Sequence, residues 1–229
     1  MCHKEGGLMN TININVFENI STRGRVAWAI CCLENLLQHF NDYNEAWELF
    51  LNKIWSYTSV TNKVLRYPYG GILLALEEWD LIMKECSPSK IKNVTKYTAL
   101  KDSFAMWSKM GSEINWIPTE EEFLLLQNGF AETRVVLCEV CELIHYLGVE
   151  FMWGAAEIPI VEHTELNRLI EIMKECQVEI PSAEPFMQYA FDVENLHLNN
   201  NPRATLIEER YRYGLPFDGT QYSKFINKK

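Results

Sequence analysis

The sequence lacks any apolar run approaching the ~20 residues that span a bilayer, so no transmembrane helix is expected. Its opening stretch, MCHKEGGLMNTININVFENI, has no basic region followed by an apolar core, and Cys2 has no apolar lead-in; neither an export signal nor a lipid anchor is expected. Nucleotide and acyl-transfer chemistry find no foothold: there is no Gly-x-Gly-x-x-Gly, no P-loop, no His-Glu-x-x-His and no Gly-x-Ser-x-Gly. The seven cysteines, odd in number and with Cys31 next to Cys32, lack the spacing of a disulfide-stapled secreted scaffold. Reduced thiols and a cytoplasmic location are therefore expected.

Cations are scarce in one part of the chain only. Residues 1–117 hold 12 basic and 12 acidic side chains, whereas 118–202 set Arg134, Arg168 and Lys174 against 16 acids, and the net charge is −10. A phosphate backbone needs clustered Lys and Arg, so nucleic acid is not an expected partner. Two readings of the imbalance remain: solvated helix faces, which glutamate favours for propensity and solubility, or a surface that steers a basic partner into contact.

What is present is helical periodicity. With 229 residues and 48% hydrophobic content the chain can bury one sizeable core, and a single all-α domain over 1–229 is expected, an antiparallel bundle of about seven to eight helices. In RVAWAICCLENLLQHF, Val26, Ile30, Leu33, Leu37 and Phe40 form one apolar stripe, broken at Asn41-Asp42. Asp42 with Glu45 suggests a capping box for a second helix that carries Trp47, Phe50, Leu51, Ile54 and Trp55 to about Tyr57. ILLALEEWDLIMKEC stops before Ser87-Pro88, and a fourth helix holding Leu100, Phe104, Trp107 and Met110 ends at Gly111. Thr119 with Glu122 predicts a second capping box. Helices are further expected at 164–176, at 183–197, and from Asn201-Pro202 to Gly214. The alternation in TININVF suggests a short strand within an otherwise irregular 1–20, and the aromatic-rich tail 215–229 has turn chemistry at Asp218-Gly219. IMKEC occurs at 82–86 and 172–176, but the next similar pair of segments is offset by a different length, so no internal duplication is inferred.

AETRVVLCEVCELIHYLG looks at first like chemistry. Cys138, Cys141 and His145 share a helix face, but the first and last lie ~10 Å apart along the axis, too far for one tetrahedral zinc with bonds of ~2.0–2.3 Å. The C-x-x-C sits in mid-helix, without the N-terminal dipole that activates redox thiols, and reads as small apolar core groups. A second possibility is a ferritin-like di-metal enzyme, in which Glu142 with His145 and Glu194 with His197 supply two Glu-x-x-His pairs, and Glu34 with Glu171 or Glu175 supplies the remaining carboxylates. Glutamate is abundant enough for such pairs to arise by chance, and His197 falls close to a helix end. Glu77, Glu78 and Asp80 read as an exposed helix surface; the tryptophans read as core, except Trp116 and Trp153 in irregular segments.

RVAWAICCLENLLQHF, the following helix ending IWSYTS, and ETRVVLCEVCELI together resemble the YjaG-like proteins, an uncharacterised bacterial all-helical family, over about half of the chain. The resemblance implies a helical bundle and supplies no catalytic residue. Size, acidity and tryptophan-rich helices are also similar to those of bacterial immunity proteins that plug cationic toxins. The expectation is a cytoplasmic protein that is not an enzyme, needs no cofactor or metal, and binds neither membrane nor nucleic acid. Its partner would be a basic protein such as a toxin, met by Glu157, Glu162, Glu165, Glu171, Glu175 and Glu179 around Trp153 as a buried anchor.

Overall fold

Apolar side chains recurring every three or four residues build α1 (Thr22–Phe40). Ser21 opens it by accepting a hydrogen bond from the Gly24 amide, and Asn41, at φ 54°, closes it in the left-handed conformation while its own N–H donates to Leu37 and Gln38. Every residue from Ile20 to Leu37 is buried apart from Cys31, so α1 is enclosed on all sides rather than on one stripe. The computed structural model describes residues 12–59, 74–109, 114–153, 164–188 and 217–226.

Around α1 the chain adds α2 (Glu45–Trp55), α3 (Leu74–Cys86), α4 (Pro88–Ile91), α5 (Tyr97–Lys109), α6 (Glu120–Phe130), α7 (Val135–Trp153), α8 (Thr164–Glu175) and α9 (Glu184–Met187). The all-α bundle expected from periodicity is thus the observed architecture; seven of these helices are longer than a single turn among the described residues. The central contact is α1 against α7, which also packs on α8, α3 and α4, while α2 joins α6 and α3. Trp28, Trp47, Trp55 and Trp79 are fully buried in this core. Gly148 lets α7 approach α3: a Cβ there would stand 2.5 Å from the Trp79 ring, closer than packed atoms tolerate. No helix among the described residues is long and apolar enough to cross a membrane.

Local chemistry departs from the sequence reading in several places. The strand suggested for TININVF is instead a 3-10 turn, Ile14–Asn19, because Asn13 accepts from the Asn15 amide and Phe17 plugs into the core edge-on to Trp28, at 4.6 Å between ring centroids. A strand needs a ladder partner, and no described residue forms one. The cap of α2 is Asn44, whose side chain accepts from Ala46 and Trp47; the Asp42–Glu45 box does not form, and Asp42 pairs with Arg134 at 3.1 Å. Asn44 wins because it directly precedes the first helical residue with an extended backbone. Beyond Ser87, Pro88 starts the short α4, its fixed φ already suited to the first helical position. The Thr119–Glu122 capping box forms in full. α9 covers only the first part of the helix expected over 183–197, while the rest of that span, the helix from Asn201, and Met110 and Gly111 lie outside the described residues.

Candidate functional site

The acidic segment is organised by two helices. α8 buries Leu166, Leu169, Ile170, Ile172 and Met173, which leaves Glu171, Lys174 and Glu175 on its outer face, with Glu179 exposed just beyond its end. Arg168 stands at the centre of this face. It bonds Glu139 of α7 through Nε at 2.7 Å, and reaches Glu171 and Glu175 through Nη1 at 3.3 Å each. Hydrogen bonding to Glu139 above all raises the guanidinium above its ordinary value; desolvation opposes it, and the weaker bonds to Glu171 and Glu175 add to the rise. The side chains of Glu171 and Glu175 remain 61% and 63% exposed, so the clamp holds the carboxylates in place without hiding them.

Beside this network, a hollow of about 410 Å³ lies between α4 and α7, lined by Ser89, Lys92, Val135, Cys138, Glu139 and Glu142. Glu139 belongs to both features. Val135 is 80% exposed at the start of α7, an apolar contact beside a carboxylate rim. Of the residues expected to meet a partner, Glu165, Glu171, Glu175 and Glu179 fall on or next to α8, with Glu165 half-buried. Glu157 and Glu162 lie outside the described residues, and so does the side chain of Trp153. Glu139 and Glu142 were not in the expected partner-binding set; Glu139 reaches Arg168 only through the packing of α8 on α7, which no local spacing signals.

The di-metal reading is not assembled by the described residues. Glu142 faces the hollow with Ser89 and Lys92, whereas His145, one turn later, turns to α3 and meets Asp80 at 2.6 Å from Nε2 to Oδ1. Glu34 is fully buried and accepts from Trp55 Nε1 at 2.9 Å, Ser223 Oγ at 2.6 Å and the Lys224 amide at 2.5 Å. Glu171 and Glu175 serve Arg168. Among the described residues no three His, Cys, Asp or Glu side chains are grouped as a metal would need. Glu194 and His197 lie outside them.

Asp80 corrects the sequence reading most sharply. Read as part of an exposed acidic surface with Glu77 and Glu78, it is 1% exposed and joins His145 to Lys84, whose Nζ lies 2.6 Å from Oδ2. Burial opposes its ionisation, but hydrogen bonds from His145 and Lys84 outweigh that and hold the carboxyl below its ordinary value. Its position between buried Trp79 and Leu81, with a lysine four residues on, was the available signal. Glu78 behaves differently, accepting from both the backbone and the side chain of Asn115 at 3.0 Å.

The C-x-x-C thiols and Cys32 are core groups. Cys32 and Cys141 have no exposure and Cys138 is 8% exposed; burial pushes all three upward, away from the thiolate that nucleophilic chemistry requires. Trp116, singled out for its irregular segment, is half-buried, edge-on to Phe104 and under Lys53 Nζ at 4.6 Å from the ring centroid.

Compared with protein-family models, curated proteins and solved structures, the chain matches none of them.

Proposed function

We propose that this is a bacterial cytoplasmic protein that acts by binding a basic protein, as an immunity protein neutralises a cationic toxin. The observation that supports the reading is the exposed carboxylate face of α7 and α8, where Glu139, Glu171 and Glu175 are fixed around one guanidinium and Glu142 extends the same charge along the hollow. Carboxylates already ordered by Arg168 lose little further side-chain entropy when a cationic surface arrives. Their summed field would draw that surface in before contact, and Val135 offers apolar area beside them once water is expelled. Free thiols on a chain with buried Cys32, Cys86 and Cys141 suit a reducing compartment.

The test is kinetic. A basic protein recovered by cross-linking in the native cell, and encoded beside this chain, is purified and its association measured against salt. Changing Glu171, Glu175 and Glu179 together to lysine should slow association about tenfold or more at low salt and flatten its salt dependence. Unchanged association in that variant removes this face from the binding surface.

A further inference from the structure

Cys31, Glu34 and Gln38 lie along one face of α1, and one segment bonds all three, covering Glu34 while Gln38 stays exposed. Cys31 Sγ lies 3.9 Å from the Tyr222 carbonyl oxygen, Glu34 accepts from Ser223 Oγ and the Lys224 amide, and Gln38 Oε1 accepts from Lys224 Nζ at 3.2 Å. The spacing i, i+3, i+7 puts these groups on one face. Upstream, the Phe217 amide donates to the Thr58 carbonyl at 2.8 Å and the Gly219 amide to Thr58 Oγ1 at 3.0 Å; a Cβ on Gly219 would stand 2.6 Å from that oxygen, so the segment lies flat there. Downstream, Phe225 stacks on Tyr43 at 3.9 Å with an 8° interplanar angle.

We propose that residues 217–226 are a releasable strap over the Cys31–Glu34–Gln38 stripe of α1, with the Glu34 carboxylate as its catch. The strap lies on the rim of the core, where Tyr222 also meets Phe186 at 4.8 Å and accepts from Gln188 Nε2 at 2.8 Å. Gly219 is its one fully buried residue, whereas Phe217, Tyr222, Phe225 and Ile226 are only half-buried. An element tied by polar contacts and partial burial opens at lower free energy than the helix beneath it. Its removal hydrates Glu34, because Ser223 and Lys224 occupy the outer side of the carboxylate and Trp55 the inner side.

That geometry couples the strap to pH. Burial raises the Glu34 carboxyl above its ordinary range, although the bonds from Ser223, Lys224 and Trp55 and the charge of Lys224 pull the other way. Lifting the strap returns the group toward its ordinary value, so the closed form binds a proton more readily than the open one. The strap is held more tightly in acid and loosens as pH rises through the raised value. Among the described residues, the other ionisable groups facing Glu34 are Cys31 on its own helix, Tyr43 from the turn before α2, and Lys224 from the strap; burial raises both Cys31 and Tyr43, so neither ionises in that window.

Hydrogen exchange on the full-length chain, resolved by peptide and normalised to intrinsic rates, tests this, with alkylation of Cys31, normalised at each pH to that of the unfolded chain, followed in parallel. Amides of 217–226 should be protected less than those of α1, should lose protection together as pH rises, by up to about tenfold per unit for one proton, and should do so in step with Cys31 alkylation. Glu34→Gln, which does not titrate, should abolish the pH dependence. Ser223→Ala, a milder change, should lower strap protection several-fold and leave α1 unaffected. Strap amides that exchange only together with α1, or a pH dependence that survives in Glu34→Gln, would overturn the proposal.

Discussion

The Asp80 carboxylate and the His145 imidazole meet at 2.6 Å between α3 and α7, 65 residues apart in sequence, with Lys84 closing the other carboxylate oxygen. A buried acid is thereby given two hydrogen-bond donors and its charge is matched. The pair ties two helices at the level where Gly148 already brings them into contact with Trp79.

Removing a partner of a buried charge costs more than the pair itself contributes. His145→Ala should destabilise the fold by roughly 3 kcal/mol in urea titrations at neutral pH, because Asp80 loses a donor it cannot replace from water. Since the folded-state value of Asp80 lies below its unfolded value, the contribution is present above the ordinary carboxylate range and is lost as pH falls through the lowered one. The wild-type chain should therefore lose stability on acidification below about pH 4 more steeply than Asp80→Asn. Parallel curves for the two would contradict this.

Gly148→Ala sets helix propensity against packing. Alanine improves an α-helix by about 1 kcal/mol, but its Cβ would lie 2.5 Å from the Trp79 ring, and overpacking of that kind costs about 1–3 kcal/mol. The net change in thermal denaturation should be destabilising, with altered Trp79 fluorescence.

At the start of α6, the Thr119 hydroxyl accepts from the Glu122 amide at 3.2 Å, and the Glu122 carboxylate accepts from the Thr119 amide at 2.8 Å. Thr119→Ala should cost about 1 kcal/mol, and Thr119→Ser far less. Chemical denaturation of both variants distinguishes loss of a cap from loss of a methyl group.

Cys32 and Cys141, both without exposure, should resist alkylation in the native protein at pH 8 and react fully only when it is unfolded in guanidinium. Rapid native labelling of Cys141, read by peptide mass, would show that the core around α7 opens far more readily than its packing implies.

The sequence was legible wherever a single helix decides the outcome. Apolar spacing located α1, α2 and α8, and the Thr-x-x-Glu pattern located the start of α6, because periodicity and capping act over one or two turns. Mid-helix thiols were read correctly as core for the same reason. The strand at TININVF failed because alternation is only a pattern until a ladder partner exists, and Asn13 and Phe17 found other contacts first.

The acidic face was half legible. That α8 would turn Glu171 and Glu175 outward beside Arg168 follows from its own buried stripe and spacing, but that Glu139 joins them depends on how α8 lies across α7.

Three carboxylates of similar sequence appearance ended in different roles: Glu175 faces solvent on Arg168, Asp80 is buried on His145, and Glu34 is buried under the strap. By itself the sequence determined that these side chains would sit on helices, and for α8 which face that helix would bury. Only tertiary packing decided which charge kept its water and which was compensated by distant donors, because the cost of burying a carboxylate depends on groups 65 or 189 residues away that local spacing cannot bring into view.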